Sequence, residues 1–307
     1  MSTLHSAGSD PVAGMAYRHS GRIPLFGWLT FPGALVVAVV VGYLYGWINV
    51  LNPFVGWLSV FVVGGAVIVT GAVIGMMLSA AKVRSNGIAT LVGLVGGAAL
   101  LYVAWASFAS ALVARHGSDG ARLPFLTALT HPQVVVDLGK TLYDQGWFTI
   151  RRHTVTGPML AGGWVVEACG LMLGTAWLVR RFIADRVFSE RANEWVTGQP
   201  LKVLPAPDEA GMSRLTEGHF ELLTTTASGT NSFPAIVVTG YEHHGDPDFR
   251  LLEIKRVVAK PPKKKGAKPE LNETVVVPPT FVDPKVYAAV LATAAPKDGG
   301  GAAQADT

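Results

Sequence analysis

The chain has 307 residues, of which 50% are hydrophobic and 15% charged, with a formal net charge of +4. A soluble domain carries about 25% charged residues, so the deficit excludes an ordinary water-soluble globule and brings in lipid as part of the solvent. The single cysteine, Cys169, excludes an intramolecular disulfide and a cysteine metal cluster.

Met1 to Ala16 is small and polar and lacks a basic n-region, so no cleavable signal peptide is expected. Residues 1–24 read as an N-terminal cytoplasmic tail. Three runs free of Asp, Glu, Lys and Arg follow, and a fourth is broken only by Glu167. Crossing a hydrocarbon core of about 30 Å takes roughly 20 helical residues. With no water in the core each span must satisfy its own backbone, so helix is the state expected for all four. The predicted spans are 25–48, 54–81, 87–114 and 158–179, within a four-helix transmembrane domain over 25–181. Asn49, Asn52 and Pro53 make the first connection, and Lys82 to Asn86 a short basic turn.

The loop over 115–157 contains one more element. Thr130 reads as an N-cap with Pro132 in the first turn and Gln133 as the return partner. Val134, Val135, Leu138, Leu142 and Tyr143 then recur at helical spacing, and Gly146 fits a C′ position. An amphipathic helix is expected over 131–145, on the bilayer surface or packed on the bundle as a lid.

Arg18 and Arg22, Lys82 and Arg84, and Arg180, Arg181, Arg186 and Arg191 fall on one side of four alternating spans. The other side carries Arg115, Arg122, Lys140, Arg151 and Arg152, all in the long loop. Positive-inside bias then sets both termini in the cytoplasm. Phe26, Trp28, Trp47, Trp57, Trp147 and Trp177 lie near span ends, as interfacial aromatics do.

Beyond Asp185 the composition changes. Residues 182–207 read as a helical exit and linker, and 208–295 as a small soluble β-rich (α+β) domain. Its strands are expected at His219–Thr226, Ala235–Tyr241, Phe249–Ala259 and Glu273–Val277, separated by turn residues. A short helix over Pro284–Thr293 closes it, and 296–307 reads as a disordered tail.

Glycines four residues apart recur in every span: Gly42/Gly46, Gly71/Gly75, Gly93/Gly97 and Gly170/Gly174. Such pairs let helix backbones approach closely, which predicts a tightly packed bundle, with homo-oligomerisation through one pair as a further expectation. Glu167 is the sharpest single residue. A carboxyl at mid-bilayer costs roughly 2.5–3.5 kcal/mol, and the apolar residues of its helix return roughly 2–4 kcal/mol. The fourth helix therefore needs the others, with Glu167 turned inward. Its role is a hydrogen bond to a hydroxyl such as Thr70, Ser107 or Tyr102, a proton or cation relay, or a contact with a partner.

Lys260, Lys263, Lys264, Lys265 and Lys268 form a basic loop that would gain about 1 kcal/mol per Lys near anionic lipid. No aromatics interleave with them, which argues against nucleic acid as a partner. Glu242 to Asp248 holds two adjacent histidines and three further acidic residues. The spacing is not that of a zinc site, and a turn accounts for the segment. Cys169 reads as a small buried residue. No metal or cofactor site, nucleotide fingerprint or catalytic triad is legible.

Gly146-Trp147 leading to Gly157, Trp164 and Glu167 resembles a pattern in an uncharacterised family of bacterial polytopic inner-membrane proteins. Phe188-Ser189-Glu190-Arg191-Ala192-Asn193-Glu194-Trp195 is similar to that family's Phe-Cys-Glu-x-Cys-x-x-Trp segment. Ser189 and Ala192 stand at the two cysteine positions, so thiol or metal chemistry there is lost. The resemblance implies a topology and no activity. The expectation is a non-enzymatic anchor in the bacterial inner membrane, with the bilayer and an unidentified protein as partners. A small transporter or channel component using Glu167 is the alternative.

Overall fold

A computed structural model describes residues 14–51, 57–116, 122–146, 149–150, 153–224, 233–260 and 270–294. The chain forms two compact units, His19–Asp185 and a second made of Met1–Arg18 with Arg186–Thr307.

The first unit is a helical bundle. It runs α1 (Leu25–Trp28), α2 (Thr30–Leu51), α3 (Trp57–Ala80), α4 (Asn86–His116), α5 (Phe125–Thr130), α6 (Pro132–Gln145), β1 (Thr149–Ile150), β2 (His153–Thr154) and α7 (Gly157–Ala184). Four helical stretches, Leu25–Leu51, Ser59–Ala80, Asn86–His116 and Gly157–Ala184, are long and apolar enough to cross a membrane. Val40, Leu44, Phe61, Ile68, Val165 and Leu173 are exposed on their outer surface, where lipid rather than water is the matching solvent. The interior is built from small residues, with Ala38, Ala66 and Ala104 around Tyr45, Leu100 and Leu171.

The helices approach very closely at glycine. A Cβ on Gly42 would lie 2.7 Å from the Leu100 carbonyl oxygen, and one on Gly46 2.5 Å from that of Ala104, where α2 meets α4. Where α4 meets α7, a Cβ on Gly93 would lie 2.6 Å from Ala176 Cα, and one on Gly97 2.7 Å from Met172 Cα. Gly71 and Gly75 of α3 face Leu178 and Phe182 of α7 at 2.9 and 2.6 Å. Gly174 has 3.1 Å to Val67 and Gly170 has 3.5 Å to Val63, an ordinary contact.

At the other end of these helices, Leu142 of α6 packs with Val50, Phe108, Ala111, Val155 and Leu160, and Leu138 joins them. Arg115 Nη1 donates to the Val50 carbonyl at 3.1 Å, satisfying an acceptor at the end of α2. Two expectations are corrected. Thr130 does not cap α6. It ends α5, bonding the Leu126 carbonyl, while His131 is the cap residue with Pro132 behind it. Gln133 turns forward to Asp137 instead of back. Cys169 is exposed on α7 rather than buried, because it lies on the outward side with Val165, Val166 and Leu173.

The second unit is an α+β domain. β3 (Val187–Ser189) and β4 (Glu194–Val196) form a hairpin. β5 (Gln199–Pro205), β6 (Ala235–His243), β7 (Asp246–Lys260) and β8 (Glu270–Phe281) form an antiparallel sheet in that order. α8 (Glu209–Thr216), a 3-10 helix (Phe220–Leu223) and α9 (Pro284–Ala292) complete it. The main core joins Leu204, Ile236, Val238, Leu252, Ile254 and Val277 of the sheet to Leu215, Phe220, Leu223, Tyr287 and Val290. A smaller cluster holds Val187 and Val196 against Phe249 and Leu251, with Tyr17 beside them.

Tyr17 is there because the N-terminal segment joins the sheet. Gly14 N–H donates to the Phe281 carbonyl, Phe281 N–H to Met15, and Tyr17 N–H to Pro279, at 2.7, 3.0 and 2.7 Å. Ala16 bridges Thr280 in antiparallel sense, and the Tyr17 hydroxyl accepts from Phe188 N–H at 3.0 Å. Part of the segment read as a tail is thus sheet. Much of the 182–207 linker is strand as well: Pro200 and Pro205 read as breakers, yet β5 is an edge strand, where a missing N–H is tolerated. His219–Thr226 is not a strand. Phe220 and Leu223 are buried three residues apart, a helical spacing. Residues 296–307 lie outside the described residues.

Candidate functional site

Glu167 sits on α7, eleventh of its 28 residues. Within the four membrane-crossing stretches it is the one acidic residue. The Tyr45 hydroxyl donates to Glu167 Oε1. Gly42 and Gly46 flank Tyr45 and let α2 lie on α4. Tyr45 itself is buried against Leu100, Ala104 and Leu171, so the aliphatic core that holds the ring fixes the hydroxyl.

The three hydroxyls expected to serve Glu167 are engaged elsewhere or stand apart. Ser107 Oγ donates to the Tyr43 carbonyl at 2.8 Å. The Tyr102 hydroxyl donates to the Leu129 carbonyl at 2.7 Å, tying α4 to α5. Thr70 Oγ1 is buried with no hydrogen-bond partner among the described residues. One turn before Glu167, the Trp164 ring meets Trp105 edge-on at 5.1 Å. Both rings pack on the cluster of Leu142, Val155 and Leu160. A carboxyl bonded to a phenol can hold two helices together, and the same two groups are ones through which a proton or a cation could be exchanged.

The eight paired glycines sit at or near helix contacts inside one chain, as described above. In the second unit, Lys260 ends β7, exposed and in register with Glu270. Lys263, Lys264, Lys265 and Lys268 lie outside the described residues. His243, Asp246 and Asp248, at the β6–β7 connection, are bound to the β3–β4 hairpin. His243 Nε2 lies 3.0 Å from Glu194 Oε2, Ser189 Oγ donates to Asp246 Oδ2 at 2.6 Å, and Arg191 pairs with Asp248 at 3.2 Å. The Ala192 N–H donates to Ser189 Oγ at 3.1 Å. No group of three metal-ligating side chains occurs among the described residues.

One buried cation escaped the sequence reading. Lys202 is 1% exposed, and its Nζ donates to the Leu223 carbonyl at 2.8 Å and to Thr293 Oγ1. Burial pushes its ammonium below the usual lysine range. Tyr45 and Lys202 were both hidden for one reason: each sits inside an ordinary run, and its partner comes from a distant segment. Compared with family models, with curated proteins and with solved structures, the chain finds no match in any of the three.

Proposed function

We propose that the chain is a membrane anchor that presents an interaction domain at the cytoplasmic face of a bacterial inner membrane, and that it is not an enzyme. One observation carries the reading. The N-terminal segment Gly14–Tyr17 and the residues after α7 share one folded unit, which supports a reading with both ends of the membrane segment on one side of the bilayer. Four spans fit that reading, and the Lys and Arg bias favours the cytoplasmic side. The bundle is then a scaffold, with its glycine pairs packed inside the chain and Glu167 bonded to Tyr45.

Affinity isolation of the full chain from native membranes tests this, beside a truncation after Asp185 matched for membrane level. Proteins retained by the full chain and lost with the truncation are the expected result. An identical set from both contradicts it.

A second reading, a small transporter or channel component, draws on Glu167 itself, since an intramembrane carboxyl is costly to keep. Glu167-dependent ion or proton flux in liposomes would favour it over the anchor.

A further inference from the structure

A groove of about 420 Å³ lies on the outer surface of the bundle between α2 and α5, lined by Val39, Val40, Tyr43, Leu44 and Phe125. That is within the range of small-ligand sites, roughly 300–1,000 Å³, and every lining residue is aliphatic or aromatic. The α5 wall is fixed to α4. Ser110 Oγ donates to the Leu123 carbonyl and the Tyr102 hydroxyl to the Leu129 carbonyl, each at 2.7 Å, and Ala128 of α5 is buried. α5 therefore runs beside a membrane-crossing stretch instead of above it. Its Phe125 ring meets Tyr43 of α2 edge-on at 5.0 Å, which joins the two walls.

α2 belongs to a stretch long and apolar enough to cross a membrane, and Val39, Val40, Tyr43 and Leu44 are exposed on it. Hydrocarbon is the medium that reaches them. Ile48 and Leu51, also exposed, carry the apolar track from Leu44 to the end of α2. Leu44 stands about 10 Å of helix from Leu51 and Val39 about 18 Å, against a leaflet about 15 Å deep. The groove thus suits the inner part of a chain whose head lies at the end of α2. Two cations meet at that end. Arg115 donates to the Val50 carbonyl. Val50 packs with Phe108 and Ala111, which sets Ser110 at the same height, and with it Leu123 and its neighbour Arg122. Both arginines are exposed, and neither has an ion pair among the described residues.

We propose that this groove binds an anionic phospholipid, with one acyl chain between α2 and α5 and the phosphate held by Arg122 and Arg115. Guanidinium forks match phosphate oxygens. Arg115 has donors to spare, since a guanidinium carries five and the Val50 carbonyl takes one. Two cations without an acidic partner among the described residues favour a net negative headgroup over a zwitterion, whose ammonium they repel. A membrane helix fits less well. α5 has six residues, a wall about 9 Å long, which is short for a helix contact and sufficient to pin several methylenes. The site rests on the apolar helices of the first unit and not on what the second unit binds.

The test is photo-crosslinking of the full chain in phosphatidylcholine vesicles. The probes are phosphatidylglycerol and phosphatidylcholine, each with a diazirine near the end of one acyl chain and supplied at equal low mole fraction. Labelled peptides are mapped by mass spectrometry. Phosphatidylglycerol is expected to label the Val39–Leu44 and Phe125 peptides at least fivefold more than phosphatidylcholine does. Arg122→Gln should cut that labelling at least threefold and leave labelling around Val165 and Leu173, on the outward side of α7, as it is. Arg122 is exposed and bonds nothing described, so this variant should melt with the parent. Val40→Trp fills the groove from an exposed position and should cut labelling there by either lipid at least threefold. Arg180→Gln with Arg181→Gln, at the far end of α7, should change nothing in the groove. Equal labelling by the two lipids would mean ordinary surrounding lipid and overturn the proposal. So would parent-like labelling of Arg122→Gln or Val40→Trp, an equal loss in the Arg180→Gln and Arg181→Gln double variant, or a groove that neither lipid labels, as when a second copy fills it.

Discussion

Inside an apolar helix a carboxyl must find a donor or remain an expense, and Tyr45 is the donor that Glu167 finds. If the pair is structural, Glu167→Gln should insert and melt with the parent, because an amide can still accept from the phenol. Glu167→Leu leaves the Tyr45 hydroxyl without that acceptor at a cost of about 0.6 kcal/mol and up to roughly 2. Membrane abundance and thermal stability of the two variants check this. Normal abundance of Glu167→Gln with loss of an ion-linked phenotype would turn the residue into an active one. Glu167 was legible because a charge in an apolar run is visible in any window. Tyr45 was not, because the choice among hydroxyls depends on which helix faces meet.

The domain contributes a residue-scale pH dependence. Burial, and then the Glu242 charge, push the Tyr287 phenol up to about 12. Burial and the Glu253 carboxylate raise Tyr241 as well. A folded value above the unfolded one means a contribution to stability that is complete below pH 10 and lost as pH rises toward 12. Lys202 has the opposite sign: its lowered value makes the domain gain stability as pH climbs toward that of a free lysine. Comparing Tyr287→Phe with the parent cancels the lysine. Followed by hydrogen exchange of the domain in the full chain, the variant should lose about 2 kcal/mol less between pH 10 and pH 12. Parallel curves would contradict the assignment.

Elements were legible to the extent that one period dominated them. The four spans are apolar runs, the fourth broken only by Glu167, and the apolar helices end within five residues of the expected bounds. β6, β7 and β8 were found because turn residues bound them. β5 was missed because two prolines and an inward lysine break its alternation, and the reason both are tolerated, an unpaired edge and distant acceptors, is tertiary. The spacing of glycines was visible, but their tolerances were not, and these differ. Gly97→Ala forces a methyl to 2.7 Å from the Met172 backbone, an overpacking expected to cost about 1–3 kcal/mol. Gly170→Ala meets Val63 at an ordinary 3.5 Å, and alanine's helix propensity should leave it within about 1 kcal/mol of the parent, on the stable side. Thermal unfolding of both in one detergent checks the order. An equal loss would mean that glycine spacing alone, not backbone approach, sets the cost.

For the whole molecule, the proposed anchor has both ends of its four-span segment on the cytoplasmic side, gathered by one folded domain. The most direct measurement labels single cysteines in intact spheroplasts with a membrane-impermeant maleimide, in a Cys169→Ser background. Ser20→Cys precedes the first span, Ser118→Cys lies between the third and fourth, and Ser213→Cys lies in the β-rich domain. Labelling at Ser118→Cys alone is expected in intact spheroplasts, and at all three after permeabilisation. Labelling of Ser213→Cys before permeabilisation, or of Ser20→Cys without Ser213→Cys, would contradict it.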